Sequence, residues 1–193
     1  GANRLGGNSL LDLVVFGRAA GIHIQEALKT GGGVANADKD DIDQALDSLN
    51  KINSSNEGFE VAEVKRELQS VMQNYFGVFR RGDYMEKGVA ALGDIREKIS
   101  NLHLKDKSMA FNTSRVEALE LQNLFEVAEA TAIASFQRTE SRGAHARDDF
   151  KERDDENWLC HSLYDPIQKT LNKRDVNFAP AQVETFEPKV RTY

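Results

Sequence analysis

The residues best suited to chemistry lie at the start of the chain, in the run Asn3–Leu10, where two adjacent glycines precede Asn8, Ser9 and Leu10. Glycines let a backbone approach a ligand closely, and a helix that starts after them points its free amide groups at that ligand. Arg4 stands just before the glycines, and its planar guanidinium can hold a carboxylate through two hydrogen bonds. An ordinary capped helix with a surface arginine has the same spacing, so the pattern alone leaves both interpretations open.

Other reactive side chains form no recognisable site in the sequence. The histidines are dispersed, and the single cysteine, Cys160, excludes an internal disulfide and a cysteine metal cluster, so no metal is expected. His145 is interpreted as a structural loop histidine, with a ligand contact as the alternative. We expect its neighbours Arg142 and Arg147 to bind acidic residues of the loop or another domain. No residue of this chain is predicted to be catalytic.

Composition restricts the partners of the chain. Its 193 residues include 25 basic and 31 acidic side chains, a net charge of -6, which provides no broad positive field for nucleic acid or anionic lipid. The early apolar run Leu13–Phe16 is far shorter than the roughly 20 residues of a membrane-spanning helix. We therefore expect neither nucleic-acid binding nor a membrane span. Because the chain starts at Gly1 and a loop motif begins at once, we expect a piece of a longer polypeptide.

Helical periodicity dominates the next part of the chain. The first helix is expected to have Asn8 or Ser9 as N-cap, Asp12 in a capping-box position, and a face of small residues that indicates close packing. The glycines at 31–33 end it. Apolar spacing predicts four further helices, over about 40–50, 61–80, 85–102 and, capped by Thr113 or Ser114, 113–132. Short connections between the last three predict an antiparallel bundle.

The pattern changes after Phe136. Between Arg138 and Glu156, charges of both signs replace large apolar residues, so we expect a loop held by ion pairs or by a partner surface. Short strands are predicted over 158–164 and 175–178, around a turn at Asp165-Pro166. The predicted fold class is therefore mainly α: a loop and helix, then an antiparallel helical bundle, then a C-terminal region of loops and short strands.

Two groups of motifs are specific enough to be compared with a known family. The run Gly1–Arg18, which begins Gly-Ala-Asn-Arg-Leu-Gly-Gly-Asn-Ser-Leu, is similar to the segment that closes the flavin site in succinate dehydrogenase flavoproteins. The runs Arg138–Arg147 and Asp154–His161 and the ending Pro188–Tyr193 are similar to late segments of the same subunit. The whole chain thus resembles the C-terminal portion of that subunit.

The resemblance implies roles for three residues. Arg4 would bind a carboxylate of succinate or fumarate, while Ser9 and Leu10 would contact FAD at the helix start. The family's proton-relay arginine, its nucleotide-binding glycine motif and the histidine that carries covalent FAD correspond to positions upstream of Gly1. The chain by itself is therefore expected to bind no FAD and to be inactive with succinate.

The resemblance also implies an activity, partners and a domain division. The whole subunit would oxidise succinate to fumarate with FAD and pass electrons through an iron-sulfur subunit to quinone in membrane-anchor subunits. It would lie peripherally on the cytoplasmic face of a bacterial inner membrane, or on the matrix side in mitochondria. A fumarate reductase, an L-aspartate oxidase or, for this chain alone, a non-catalytic helical docking module are the alternatives. The implied divisions are the remnant of an FAD-binding domain at 1–33, the helical bundle at 34–136 and the charged loop and short-strand region at 137–193.

Overall fold

The computed structural model describes residues 6–31, 35–179, 181, 184–185 and 189. Within these ranges the chain is mainly helical, as predicted. Its helices are α1 (Asn8–Lys29), α2 (Lys39–Ser54), α3 (Val61–Tyr75), α4 (Gly82–Ser100), α5 (Thr113–Gln137) and α6 (Asp155–Trp158). Its strands are β1 (Phe59–Glu60), β2 (Phe79–Arg80), β3 (Leu102–His103), β4 (Ala146–Arg147), β5 (Cys160–Asp165) and β6 (Thr170–Asp175). No described helix combines the length and apolar character that crossing a bilayer requires.

The start of α1 differs from the expectation. Gly7 is its N-cap residue, in the left-handed conformation with a φ of 80°, and no side-chain hydrogen bond caps this end. Gly6 has a φ of 62°. The predicted capping roles of Asn8 or Ser9 and of Asp12 are therefore wrong. Two consecutive glycines adopt backbone angles that other residues rarely reach, so the chain enters the helix through them and Asn8 is already helical.

No residue of α1 is buried. Its side chains Leu10 and Leu13 are each 71% exposed. A methyl group added at Gly17 or Gly21 would meet no other atom within 4 Å. The close packing expected for the small-residue face is thus not provided by any described residue.

The hydrophobic core lies among α3, α4 and α5, with contributions from α2 and from β3. The predicted periodicity is confirmed for α3 and α4, whose residues at helical spacing are buried or half-buried. On α5 it is confirmed only in part, because Val116 and Leu124 are exposed while Leu121 and Phe125 are buried. The largest fully buried apolar side chains are Val64, Leu68, Met85, Ile95 and Leu121. Gly88 of α4 allows α3 to approach closely, since a Cβ there would lie 2.5 Å from Cε2 of Phe76.

The predicted helix over 61–80 is too long at its C-terminal end. α3 ends at Tyr75, and Phe79 and Arg80 instead pair in parallel with Ala146 and Arg147 as β2 and β4. The side chain of Arg80 turns back to donate to the carbonyl oxygens of Phe76, the C-cap residue of α3, and of Gly77, which lack helical partners. In the same way α4 stops at Ser100, because β3 pairs in parallel with β1.

Two helices begin differently from the prediction. Asn112, rather than Thr113 or Ser114, caps α5, because its Oδ1 accepts a hydrogen bond from the backbone N–H of Arg115 at 2.9 Å. Thr113 and Ser114 therefore lie inside the helix. α2 spans Lys39–Ser54, beyond the predicted 40–50 at both ends.

The C-terminal strands form an antiparallel hairpin, β5–β6, in which Cys160 pairs with Asp175 and Asp165 with Thr170. The expected turn after Asp165 is confirmed. The expected strand over 175–178 is wrong, because β6 occupies Thr170–Asp175 directly after the short turn. Trp158 belongs to α6 instead of the first strand.

Candidate functional site

The predicted flavin contacts Ser9 and Leu10 form the first turn of α1, while Arg4 lies outside the described residues. Ser9 is half-buried and Leu10 is exposed. Because Gly7 is the N-cap and no side chain caps the helix, the first amide groups have no side-chain acceptor among the described residues. Such a helix start suits a phosphate, a carboxylate or an electron-rich ring oxygen. The backbone at the start of α1 therefore suits the flavin contact that was expected at Ser9 and Leu10.

The charged run 138–156, called the arginine loop here, folds around Glu140, whose side chain is fully buried. Its carboxylate accepts hydrogen bonds from Nη1 of Arg138, from Nε of Arg142 at 2.7 Å and from the backbone N–H of Asp154 at 2.9 Å. Burial would raise the pKa of Glu140, but the hydrogen bonds from Arg142, Asp154 and Arg138 hold that pKa below its ordinary value. The expected ion pairing of Arg142 is confirmed.

Arg147 ties the arginine loop to the helical core. Its side chain is 2% exposed and forms a two-point bond to Asp149, with distances of 2.7 Å from Nε and 2.8 Å from Nη2. Its Nη1 donates to the carbonyl oxygens of Phe136 and Arg138 at the end of α5. Asp149 in turn accepts from the backbone N–H of Gly82, the first residue of α4, at 2.8 Å. The bonds from Arg147 hold the pKa of Asp149 well below its usual range, and the predicted acidic partner of Arg147 is confirmed.

His145 links the arginine loop to β2. Its Nδ1 accepts a hydrogen bond from Nη1 of Arg80 at 2.9 Å, and its Nε2 lies 3.0 Å from the carbonyl oxygen of Arg138. Arginine can only donate and a carbonyl can only accept, so the ring is neutral with its proton on Nε2. Burial, together with the positive charges of Arg80, Arg147 and Arg138, holds the pKa of His145 below its ordinary value. These contacts support the interpretation of His145 as a structural loop histidine.

Comparison with known proteins identifies the architecture that carries these features. The family described as fumarate reductase flavoprotein C-term matches residues 65–193, which include most of the core and the whole arginine loop. The chain belongs to this flavoprotein family. The resemblance stated from the motifs is thereby confirmed.

Individual flavoproteins of the family align with almost the entire chain. The succinate dehydrogenase flavoprotein subunit of Coxiella burnetii is 48% identical over 191 residues, which cover 99% of this chain and 32% of the relative. The fumarate reductase flavoprotein subunit of Haemophilus influenzae is 34% identical over 197 residues, covering 100% of this chain and 32% of the relative. A chain of E. coli quinol fumarate reductase superposes with a TM-score of 0.77 at 33% identity, over 93% of this chain and 32% of that one. The chain thus spans about a third of the length of these flavoproteins.

Sequence reasoning missed two residues that organise this flavoprotein chain. Glu140 was not singled out from the sequence. The available signal was its position between Arg138 and Arg142, two residues from each, which indicates a carboxylate with two arginine partners. Arg80 was assigned to the end of a helix, and no local signal pairs it with His145, which is 65 positions away.

Proposed function

We propose that the chain is part of a flavoprotein subunit that oxidises succinate to fumarate with FAD. The supporting observation is the 48% identity, over 99% of the chain, to a relative named as a succinate dehydrogenase flavoprotein subunit. Because the relatives are about three times as long, the activity is proposed for the whole subunit. For the chain alone we propose a helical docking module without turnover.

The start of α1 would contribute the flavin contact. FAD supplies the hydride acceptor when it is bound, and Ser9 and Leu10 would offer their backbone amides to one of its oxygens. The support is the uncapped helix end behind Gly6 and Gly7. Arg4 would grip a carboxylate of the dicarboxylate through its two-pronged guanidinium, which orients the substrate and offsets its charge.

Partners and location follow from the same proposal. Electrons would pass to an iron-sulfur subunit and then to quinone in membrane-anchor subunits. The subunit would lie peripherally at the cytoplasmic face of a bacterial inner membrane, or at the matrix side in mitochondria. The supporting observation is the similarity to a chain of the Mycobacterium smegmatis Sdh1 complex at 30% identity and a TM-score of 0.75, over 91% of this chain and 30% of that one.

We also propose the domain division at 1–33, 34–136 and 137–193, with an antiparallel bundle in the middle part. The division is supported by α1, which buries no residue, and by a core cluster that runs from Ile52 to Ala132. Two contacts support the antiparallel arrangement. Lys98 near the end of α4 bonds Glu67 in the first half of α3, and Gly88 in the first half of α4 lies against Phe76 at the end of α3.

Fumarate reduction is the second candidate activity. The 34% identity to the Haemophilus influenzae fumarate reductase subunit and the superposition on E. coli quinol fumarate reductase favour it. Whether the enzyme oxidises succinate or reduces fumarate depends on the reduction potentials of its redox partners. Comparing succinate oxidation with fumarate reduction in the assembled enzyme, using a high-potential and a low-potential electron carrier, distinguishes the two.

Replacement of Arg4 tests the proposed activity. In the assembled enzyme, Arg4→Ala should retain FAD but lower kcat/KM for succinate by about tenfold to a hundredfold, the effect of a lost charged hydrogen-bond pair. Arg4→Lys should recover only part of this loss, because an ammonium lacks the planar fork. Arg81→Ala, an exposed arginine outside α1 that pairs with Asp83, is the matched control and should keep its kinetics. Unchanged kinetics in Arg4→Ala would remove Arg4 from the substrate site.

A further inference from the structure

Arg80 differs from the arginines around it. Arg138 and Arg142 pair with Glu140, and Arg147 pairs with Asp149. Arg80 has no carboxylate within salt-bridge distance in the part of the chain that the structure describes. Burial, and then the charge of Arg147, lower the pKa of Arg80, which is the behaviour of a half-buried cation without a counterion.

Arg80 keeps unused hydrogen-bond donors. Its Nε donates to the carbonyl oxygen of Gly77 at 3.1 Å, Nη2 donates to that of Phe76 at 3.3 Å, and Nη1 donates to Nδ1 of His145 at 2.9 Å. A guanidinium carries five N–H groups, and these bonds engage one on each nitrogen. Among the described residues, one N–H on each of the two terminal nitrogens has no acceptor. The carbonyl oxygens at the end of α3 offset part of the charge, but they do not supply a full negative charge.

An open cleft of about 370 Å³ lies beside these donors. No described residue contributes a carboxylate to its lining. It consists of Arg80, Thr131, Ala134, Ser135, Arg138, His145, Cys160, His161 and Ser162. Such a lining gives the cleft a positive potential, and a volume in this range is typical of small-ligand sites.

A second donor faces the same cleft. The Oγ of Ser162 accepts a hydrogen bond from Nη2 of Arg138 at 3.1 Å, so its own O–H stays free to donate. His161 precedes Ser162 on β5, where successive side chains point to opposite faces, so Arg80 and Ser162 supply the donors. Anion recognition requires several convergent donors and a cation, and the cleft provides both.

We propose that this cleft binds a small oxyanion, a carboxylate or a phosphate, with Arg80 as its charged anchor and Ser162 as a second donor. The anion supplies the counterion that Arg80 lacks. This inference does not depend on the flavin or dicarboxylate assignment.

A titration of the full 193-residue chain tests the proposal. The side-chain N–H signals of the arginines are followed by NMR while sodium phosphate or sodium acetate replaces sodium chloride at constant ionic strength. The Arg80 signal should move and saturate, while that of Arg81, an exposed neighbour paired with Asp83, should not. Saturation by phosphate alone identifies a phosphate site, and saturation by acetate alone identifies a carboxylate site. A response no different from that to chloride with both anions would overturn the proposal.

Variants identify the residues responsible. Arg80→Gln should abolish saturation, whereas Arg81→Gln should leave it intact.

Because Arg80 also bonds carbonyl oxygens at the end of α3, a second pair of variants leaves Arg80 unchanged. Thr131→Glu places a carboxylate at the exposed edge of the cleft and should weaken the anion at least about tenfold, as expected for a competing charge. Thr131→Gln has the same shape without the charge and should bind as the unaltered chain does. Equal affinity in the Thr131 variants would contradict the site.

Discussion

The helices α1 and α3 are both rich in apolar residues, yet they occupy opposite environments. α1 has 22 residues and buries none of them, whereas α3 has 15 and buries Val61, Val64, Leu68 and Val71. The difference lies in their neighbours, since α4 and α5 pack against α3 and no described element covers α1. An apolar side chain stabilises a fold only in proportion to the area it removes from water. Apolar content therefore shows which face of a helix can be buried but not what covers it.

The comparison also bears on function. α1 carries the proposed flavin contacts, and its exposed apolar side chains form a surface of the kind that marks an interface. The core of α3, α4 and α5 instead holds the arginine loop through Gly82 and the end of α5. The proposed chemistry thus lies on the helix that contributes least to the stability of this chain.

The sharpest test of this comparison truncates one leucine in each helix. Leu68→Ala should lower the free energy of unfolding by about 2 to 5 kcal/mol, because it removes a fully buried side chain and leaves a cavity. Leu13→Ala should change it by no more than about 0.5 kcal/mol. Urea unfolding followed by circular dichroism measures both. Equal losses would mean that α1 is buried in solution, for instance against a second copy of the chain.

A smaller effect is expected from adding one methyl group to a glycine. Gly88→Ala should destabilise the chain by about 1 to 3 kcal/mol, because the new Cβ would lie 2.5 Å from Phe76 and 2.6 Å from Tyr75. Gly93→Ala on the same helix and Gly17→Ala on α1 meet open space and should stabilise their helices by up to about 1 kcal/mol. Thermal unfolding compares the three. Destabilisation by Gly17→Ala would mean that another part of the protein packs closely against α1, which would contradict the difference in burial between α1 and α3.

The smallest effect concerns pH. The pKa of His145 in the folded chain lies below its unfolded value near 6.5, so the unfolded state binds more protons as the pH falls. The contribution of neutral His145 is complete above that value and is lost as the pH falls through the lower folded pKa. His145→Gln should therefore lose less stability than the unaltered chain between about pH 7.5 and about pH 5.

The matched histidine removal for this test is His23→Gln, since His23 is an exposed residue of α1 outside the arginine loop. Urea midpoints at several pH values give the comparison. The same slope in His145→Gln and His23→Gln would contradict the neutral, doubly bonded ring inferred from the structure.

Much of the fold could be predicted because its helices follow a local rule. Residues at helical spacing, such as Val64, Leu68 and Val71, form the face that is buried once neighbouring helices pack against it. The ion pairs of the arginine loop were also predictable, since its charges alternate over a few positions and leave no apolar alternative. The ends of the helices were harder to predict from the sequence. α3 ends early because Phe79 and Arg80 pair with strand residues far along the chain.

The candidate site was likewise predictable only in part. The glycines before Ser9 and Leu10 identified the helix start, because left-handed angles at Gly6 and Gly7 are a property of the residue type. Arg4 and its dicarboxylate remain a prediction.

By itself, the sequence determined the helical class of this flavoprotein chain, the buried faces of α3 and α4, the glycine entry into α1 and the ion pairing within the arginine loop. These features depend on residue types within about one or two helical turns of each other. Only the tertiary structure decided that His145 bonds Arg80, that Asp149 holds the start of α4, and that Arg80 lacks a carboxylate among the described residues. The physical reason is distance along the chain. A contact between residues 65 positions apart arises from the packing of whole helices, and no local spacing encodes it.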